Sequence, residues 1–162
     1  MSDAAPICAA VLAWLAIGAV QAAPPPAADP EEKAVGQVLR AYEDAWSRHD
    51  ARAIASFYHE PAVRVSPGGP AVRESRAVQE AFFTGLLSSL VKQGYATSTW
   101  ERLDVRLLDP NTAIASGVVV RRRSDGTLFQ RQGVTYSLWR DAEGWRIFLS
   151  ATHAPSTALR FE

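Results

Sequence analysis

Cysteine is almost missing from this chain of 162 residues: Cys8 stands alone, so no disulfide can close within the chain and no cysteine-based metal site can be built. Histidine is scarce too. His49, His59 and His153 are the only three, and none has the His-x-x-x-His or Glu-x-x-His spacing of a metal site, so neither a metal nor another cofactor is expected. Net charge is the next absence. Seventeen basic residues balance 17 acidic ones, which removes the long-range attraction that nucleic-acid binders use, and no nucleic-acid partner is expected. A nucleophilic triad, a phosphate-binding glycine loop and an internal repeat are all missing as well. What remains is a chain of average composition, 48% hydrophobic and 21% charged, with room for one ordinary domain.

Only one long apolar run is present, "ICAAVLAWLAIGAV" at 7 to 20. It falls short of the about 20 residues that a comfortable bilayer span needs and matches the apolar stretch of a signal peptide. Val20 and Ala22 place small residues where a signal peptidase reads, so cleavage after Ala22 and export to a periplasm or the outside are expected. The opening "MSDAAP" carries Asp3 and no basic residue, unlike an ordinary signal peptide, which keeps an uncleaved membrane anchor as the alternative. A Pro/Ala-rich tether over 23 to 33 follows, then a domain over 34 to 155 and a short tail from 156 to 162.

Within the domain, Val35, Val38, Leu39, Tyr42, Ala45 and Trp46 recur at three and four and predict a first helix, whose stripe His49 extends. Asp50 suits the cap of a short second helix carrying Ile54, Phe57 and Tyr58. Pro61 disfavours helical geometry at Glu60, so this helix is expected to stop near His59. The conspicuous His59-Glu60 pair thus reads as a helix ending. "AVRVS" alternates as a strand and "PGGP" at 67 to 70 is a loop by composition. Ser75 caps a third helix to about Lys92, with Val78, Phe82, Leu86 and Leu90 on one face and Gly94 as its stop. Four β-rich runs follow, near 95 to 108, 112 to 124, 128 to 140 and 144 to 153, separated by the turns "DPNT", "SDGT" and "RDAEG". The expected class is α+β, with helices covering one face of an antiparallel meander.

That order, with "AYEDAWSRHDARAIASFYHEPAVRVSPGG" and the closing "YSLWRDAEGWRIFLSATH", resembles the nuclear transport factor 2-like superfamily and its SnoaL-like branch. The resemblance implies a cone-shaped curved sheet wrapped round a long helix, also called cystatin-like, with two further N-terminal helices. It also implies a pocket between sheet and helices and homodimers through the outer sheet face. Members include ketosteroid isomerases, cyclases, dehydratases, hydrolases and binding modules, so fold alone does not choose a function.

Ketosteroid isomerase pairs a tyrosine with a protonated aspartate and moves the proton with a second aspartate. By this resemblance Tyr42 holds the tyrosine's place. The base's place is taken by Ser66, which cannot act as a base at neutral pH. The strand that would supply the other acid offers Gln132 and Thr135 instead, so that activity is not expected.

Three readings remain. In the first, a pocket lined by Trp46, Phe57, Tyr58, Ser66, Phe82 and Trp100 binds a small, largely apolar molecule. In the second, a lyase, isomerase or hydrolase uses His153 with a carboxylate, Asp104 or Glu101, while Tyr42 polarises a carbonyl. The third is a periplasmic interaction module. Period-two alternation puts His153 on the face of Trp145, Ile147, Leu149 and Ala151, and puts Trp100, Arg102 and Asp104 together on another. Tyr42 and Trp46 also suit plain core packing, and His153 a satisfied structural role. "RRR" at 121 to 123 reads as a solvated strand end, with a clamp for an anionic substrate as the alternative.

Overall fold

The computed structural model describes residues 29–161; the expected signal peptide and the tether up to residue 28 lie outside the described residues. Helix α1 (Pro30–Ser47) begins before its apolar stripe does. Asp29 accepts from the Glu31 backbone N–H at 2.7 Å, Pro30 takes the first helical position, and Glu31 and Glu32 face the positive end of the helix dipole. Val35, Leu39, Tyr42 and Trp46 are buried along one side, as their spacing predicts. His49 does not extend that side: it is exposed, with φ at 56° and Nε2 bonded to the Ala96 carbonyl at 2.9 Å. Asp50 caps α2 (Ala51–Ser56) by accepting from the Ala53 N–H at 2.9 Å.

Helix α2 ends at Ser56 rather than near His59, because the Phe57 carbonyl already accepts from Ile147 N–H at 2.8 Å and pulls the chain into a sheet. Strand β1 (Tyr58–Ser66) then pairs with β2 (Gly69–Arg73). The expected "PGGP" loop is thus a tight hairpin: Ser66 faces Gly69 across Pro67 and Gly68, and Gly69 takes φ of 99°, which suits a residue without Cβ. Glu60 turns outward and has a local task. Its Oε2 accepts from the Arg76 backbone N–H at 2.7 Å, which with Ser75 caps helix α3 (Arg76–Lys92).

The inward face of α3 is Gln79, Phe83, Leu87 and Leu90, one position on from the expected Val78, Phe82 and Leu86. The doubled "FF" and "LL" allow either stripe, and only packing decides. Four long strands complete the domain: β3 (Thr97–Asp109), β4 (Thr112–Arg122), β5 (Leu128–Asp141) and β6 (Gly144–His153). The curved sheet runs β2-β1-β6-β5-β4-β3, antiparallel except where β1 meets β6, and the helices fill its inner face. A short 3-10 turn, Pro155–Thr157, then leads the tail across the outer face, where Arg102 donates to the carbonyls of Leu159 and Ala158 at 2.9 and 3.1 Å.

Two bulges set what each side chain faces. In β3 the register against β4 slips between Trp100 and Arg102, so Glu101 is an extra residue. Trp100 therefore points inward, while Arg102 and Asp104 point outward. In β6 the register against β5 slips between Leu138, which faces Ile147, and Ser137, which faces Leu149; Phe148 is the extra residue. Beyond it the alternation inverts. Ser150 and Thr152 turn inward, and Leu149, Ala151 and His153 turn outward.

Candidate active site

Between α1, α3 and the inner sheet face lies a cavity of about 270 Å³. Its inner wall is aromatic. The hydroxyls of Tyr42 on α1 and Tyr58 on β1 are bonded at 2.9 Å, and Tyr42 meets the rings of Trp46 and Tyr136 edge-on, at 6.2 and 5.8 Å between centroids. Phe83 and Leu90 of α3 close the helical side, and the β1–β2 hairpin contributes Ser66 and Pro67. Burial pushes the phenols of Tyr42 and Tyr136 well above the usual tyrosine range, so both remain neutral O–H donors at any ordinary pH.

Two charged side chains are sunk into this wall. Glu43 is 5% exposed and Arg121 is 8% exposed, yet no ion pair joins them within salt-bridge distance. Burial raises the Glu43 carboxyl from an ordinary 4.5 to about 7, against the pull of Arg121 and of the Ser98 hydroxyl. Arg121 lies over the Trp46 ring at 4.7 Å and donates from one terminal nitrogen to Gln130 Oε1 at 3.2 Å. Its Nε has no partner. Glu43 Oε2 and Ser150 Oγ are also without one, and these three are the only such buried side-chain atoms among the described residues. All three belong to residues of this one cavity. Among the described residues no group of three His, Cys, Asp or Glu side chains is placed to hold a metal ion.

Residues 31–155 match the model of a family described as NTF2-like protein (DUF6841). The chain belongs to the NTF2-like family. No curated protein matches it. Among solved structures, an NTF2-like protein with a cystatin-like fold from Novosphingobium aromaticivorans aligns with TM-score 0.67 and 20% identity, over 81% of this chain and 90% of that one. A domain of unknown function from Nostoc punctiforme aligns with TM-score 0.63 and 20% identity, over 77% and 78%. A ketosteroid isomerase-like protein from Erwinia carotovora atroseptica aligns with TM-score 0.57 and 16% identity, over 82% and 99%. At these identities the likeness is one of fold.

Of the residues expected to bind ligand, Trp46, Tyr58 and Ser66 line the cavity of this NTF2-like domain, and they are joined there by Tyr42, the residue expected to polarise a carbonyl. Phe57, Trp100 and Phe82 stand behind it. Phe57 packs on the far side of Tyr42 at 5.8 Å, and Trp100 donates from its indole N–H to the Leu39 carbonyl at 3.2 Å behind Tyr136. Phe82 is half-buried under the Arg73 guanidinium, 3.6 Å from its ring, while its neighbour Phe83 takes the lining position.

His153 and Asp104 are not brought together with Tyr42. The bulge at Phe148 turns His153 to the outer face, where Nε2 meets the Thr135 hydroxyl at 2.9 Å and Nδ1 meets the Ala154 carbonyl and Thr157 hydroxyl. The bulge at Glu101 turns Asp104 outward, and it pairs with Arg102; Glu101 pairs with Arg131. The shared face of Trp100, Arg102 and Asp104 is therefore corrected, as is that of His153 with Trp145 and Ile147.

Glu43, Tyr136 and Ser150 are lining residues that the sequence does not assign, though Glu43 leaves a signal, and Arg121 enters there only through the alternative reading of "RRR" as a clamp for an anionic substrate. Glu43 lies four after Leu39 and three before Trp46, on the stripe itself. Arg121 continues the inward alternation of Ala113, Ala115 and Val119, so it is not the solvated strand end expected of "RRR". Ser150 leaves none, because only the bulge brings it inward.

Proposed function

We propose that this NTF2-like protein binds a small molecule in the cavity between α1, α3 and the sheet. The observation that carries the reading is that the buried side-chain atoms without a partner among the described residues, Glu43 Oε2, Arg121 Nε and Ser150 Oγ, all belong to residues that line one cavity. A buried polar atom left unpaired costs on the order of 1–3 kcal/mol, and more when charged, so three in one place are expensive unless something fills the space. The lining is amphipathic rather than largely apolar. Aromatic rings would hold the body of the ligand, and the Glu43–Arg121 end would hold a polar head.

The test is a cavity-filling variant. Ser150→Leu removes a hydroxyl that has no partner and places a bulky aliphatic group where the ligand would sit. Small molecules released by denaturing the purified parent and identified by mass spectrometry are expected to disappear from the variant, while its melting temperature stays within a few degrees. Retention of the same molecules by Ser150→Leu would overturn the reading.

A second reading is favoured by Glu43 in particular. A carboxyl that titrates near 7, beside neutral tyrosine hydroxyls that can stabilise an enolate, suits proton transfer next to a carbonyl. One neighbour in fold is named ketosteroid isomerase-like, and Glu43 supplies an acid–base group although Ser66 does not. If so, the protein exchanges α-protons of small ketones with D₂O, seen by proton NMR, and Glu43→Gln slows this by about 10²–10⁴. No exchange above buffer would dismiss this reading and leave the binding one.

A further inference from the structure

Resting on the binding reading, we propose that the ligand of this cavity is a small organic carboxylate, gripped by the free edge of Arg121, and that Glu43 takes up a proton as it binds. Arg121 has one terminal nitrogen occupied by Gln130 and an unpartnered Nε. That edge of a guanidinium meets a carboxylate with two parallel N–H bonds, which a single amide or hydroxyl acceptor cannot match. The charged lining also favours an anion: Arg64 joins Arg121, against Glu43 alone. Neither arginine is held by a carboxylate within salt-bridge distance, although six other arginines among the described residues are.

Glu43 is the group that must respond. It faces Arg121 from β4, Tyr136 from β5, Tyr58 from β1, Tyr95 before β3 and Ser98 on β3; Asp44 and Tyr42 lie beside it on its own helix. From β6 come the uncharged Ser150, Ala151 and Thr152, and from α3 the apolar Phe83, Leu86 and Leu90. Arg121 is the cation that pulls on Glu43, and Arg64 of β1 lines the same cavity. When a second carboxylate takes Arg121, an ionised Glu43 would be a buried anion next to another anion, and protonation relieves this. The neutral acid then has an O–H to donate to the bound carboxylate. The balance is simple: one ligand anion and one proton enter, and the charge of the site is unchanged.

Calorimetry on the full domain tests this with matched pairs: phenylacetate and phenylacetamide, benzoate and benzamide, cinnamate and cinnamamide. At least one acid is expected to bind more tightly than its amide, with affinity falling roughly tenfold from pH 6 to pH 8 as Glu43 ionises near 7. Titration at pH 7.5 in two buffers of different ionisation heat is expected to report uptake of more than half a proton per ligand. Glu43→Gln is expected to bind the acid with no pH dependence, and Arg121→Gln to keep the amide and lose the preference for the acid. Amides binding as well as acids would overturn this proposal and leave the binding reading in place. Acid binding without proton uptake would overturn the role of Glu43. If none of the six molecules binds to the folded protein, this proposal fails, while the binding reading is decided separately by the molecules released from the purified parent and from Ser150→Leu.

Discussion

Between pH 5 and pH 8 the protein is expected to lose about 3 kcal/mol of stability that a Glu43→Gln variant keeps. The sign follows from the direction in which burial moves the Glu43 carboxyl, from an ordinary 4.5 to about 7 in the folded state. Between those two values the folded protein holds a proton that the unfolded chain has released, so stability falls as pH rises through the window. Below about pH 4.5 both states are protonated and the contribution is full. Above about pH 7 both are ionised and the loss is complete. At about 1.36 kcal/mol per unit, the window amounts to about 3 kcal/mol. Glutamine keeps the shape without the charge, so the gap between variant and parent should open across the window and stay level beyond it. Urea denaturation at pH 5, 6, 7 and 8, with the slope of each curve held as a check on two-state behaviour, measures it. A gap that stays constant from pH 5 to pH 8 would show that Glu43 ionises as it does in water. This test needs no ligand, so it probes the site even if every carboxylate offered to it is the wrong one.

The charged pair is hard to see in the sequence for a physical reason. Apolar residues define the stripe of α1, and a glutamate among them looks like the polar residue that any surface helix carries. Yet the position of Glu43 between Tyr42 and Trp46 puts it inside the stripe. Such a residue is either an error of patterning or a functional group, and the structure makes it the second kind of candidate by leaving Oε2 without a partner. The meander is more legible. All four long strands and their turns follow from β-rich runs and short polar connections. The short β2 escapes notice because "PGGP" is equally typical of a loop. What alternation cannot supply is the count of residues between two points on a strand, since one bulge inverts every side chain beyond it. Both mistaken faces, that of His153 and that of Asp104, come from this cause.

Replacing Gly117 by alanine is therefore expected to damage the site from a distance, through the bulge at Glu101. Gly117 sits on β4 opposite Leu103 with its missing side chain directed into the fold. A Cβ there would overlap the carbonyl oxygen of Arg102 and come within 2.9 Å of the Trp100 ring. A backbone carbonyl in a sheet cannot step aside as a flexible side chain can, so the strand must either open or lose its extra residue. Losing it would swing the β3 residues on one side of Glu101 to the opposite face and expel Trp100 from behind Tyr136. Overpacking of this sort costs about 1–3 kcal/mol, and a clash with backbone belongs at the upper end or beyond it. Gly85, exposed on α3, is the control, because a Cβ added there would meet nothing within 4 Å. There alanine should be neutral or stabilise by up to about 1 kcal/mol, because it favours the helix. The melting temperature of Gly117→Ala should fall while that of Gly85→Ala stays level or rises, and tryptophan fluorescence of the first should shift to the red as Trp100 meets water. Equal melting temperatures for Gly117→Ala and the parent would mean that the bulge does not depend on this glycine, and that some other feature of β3 holds Trp100 inside.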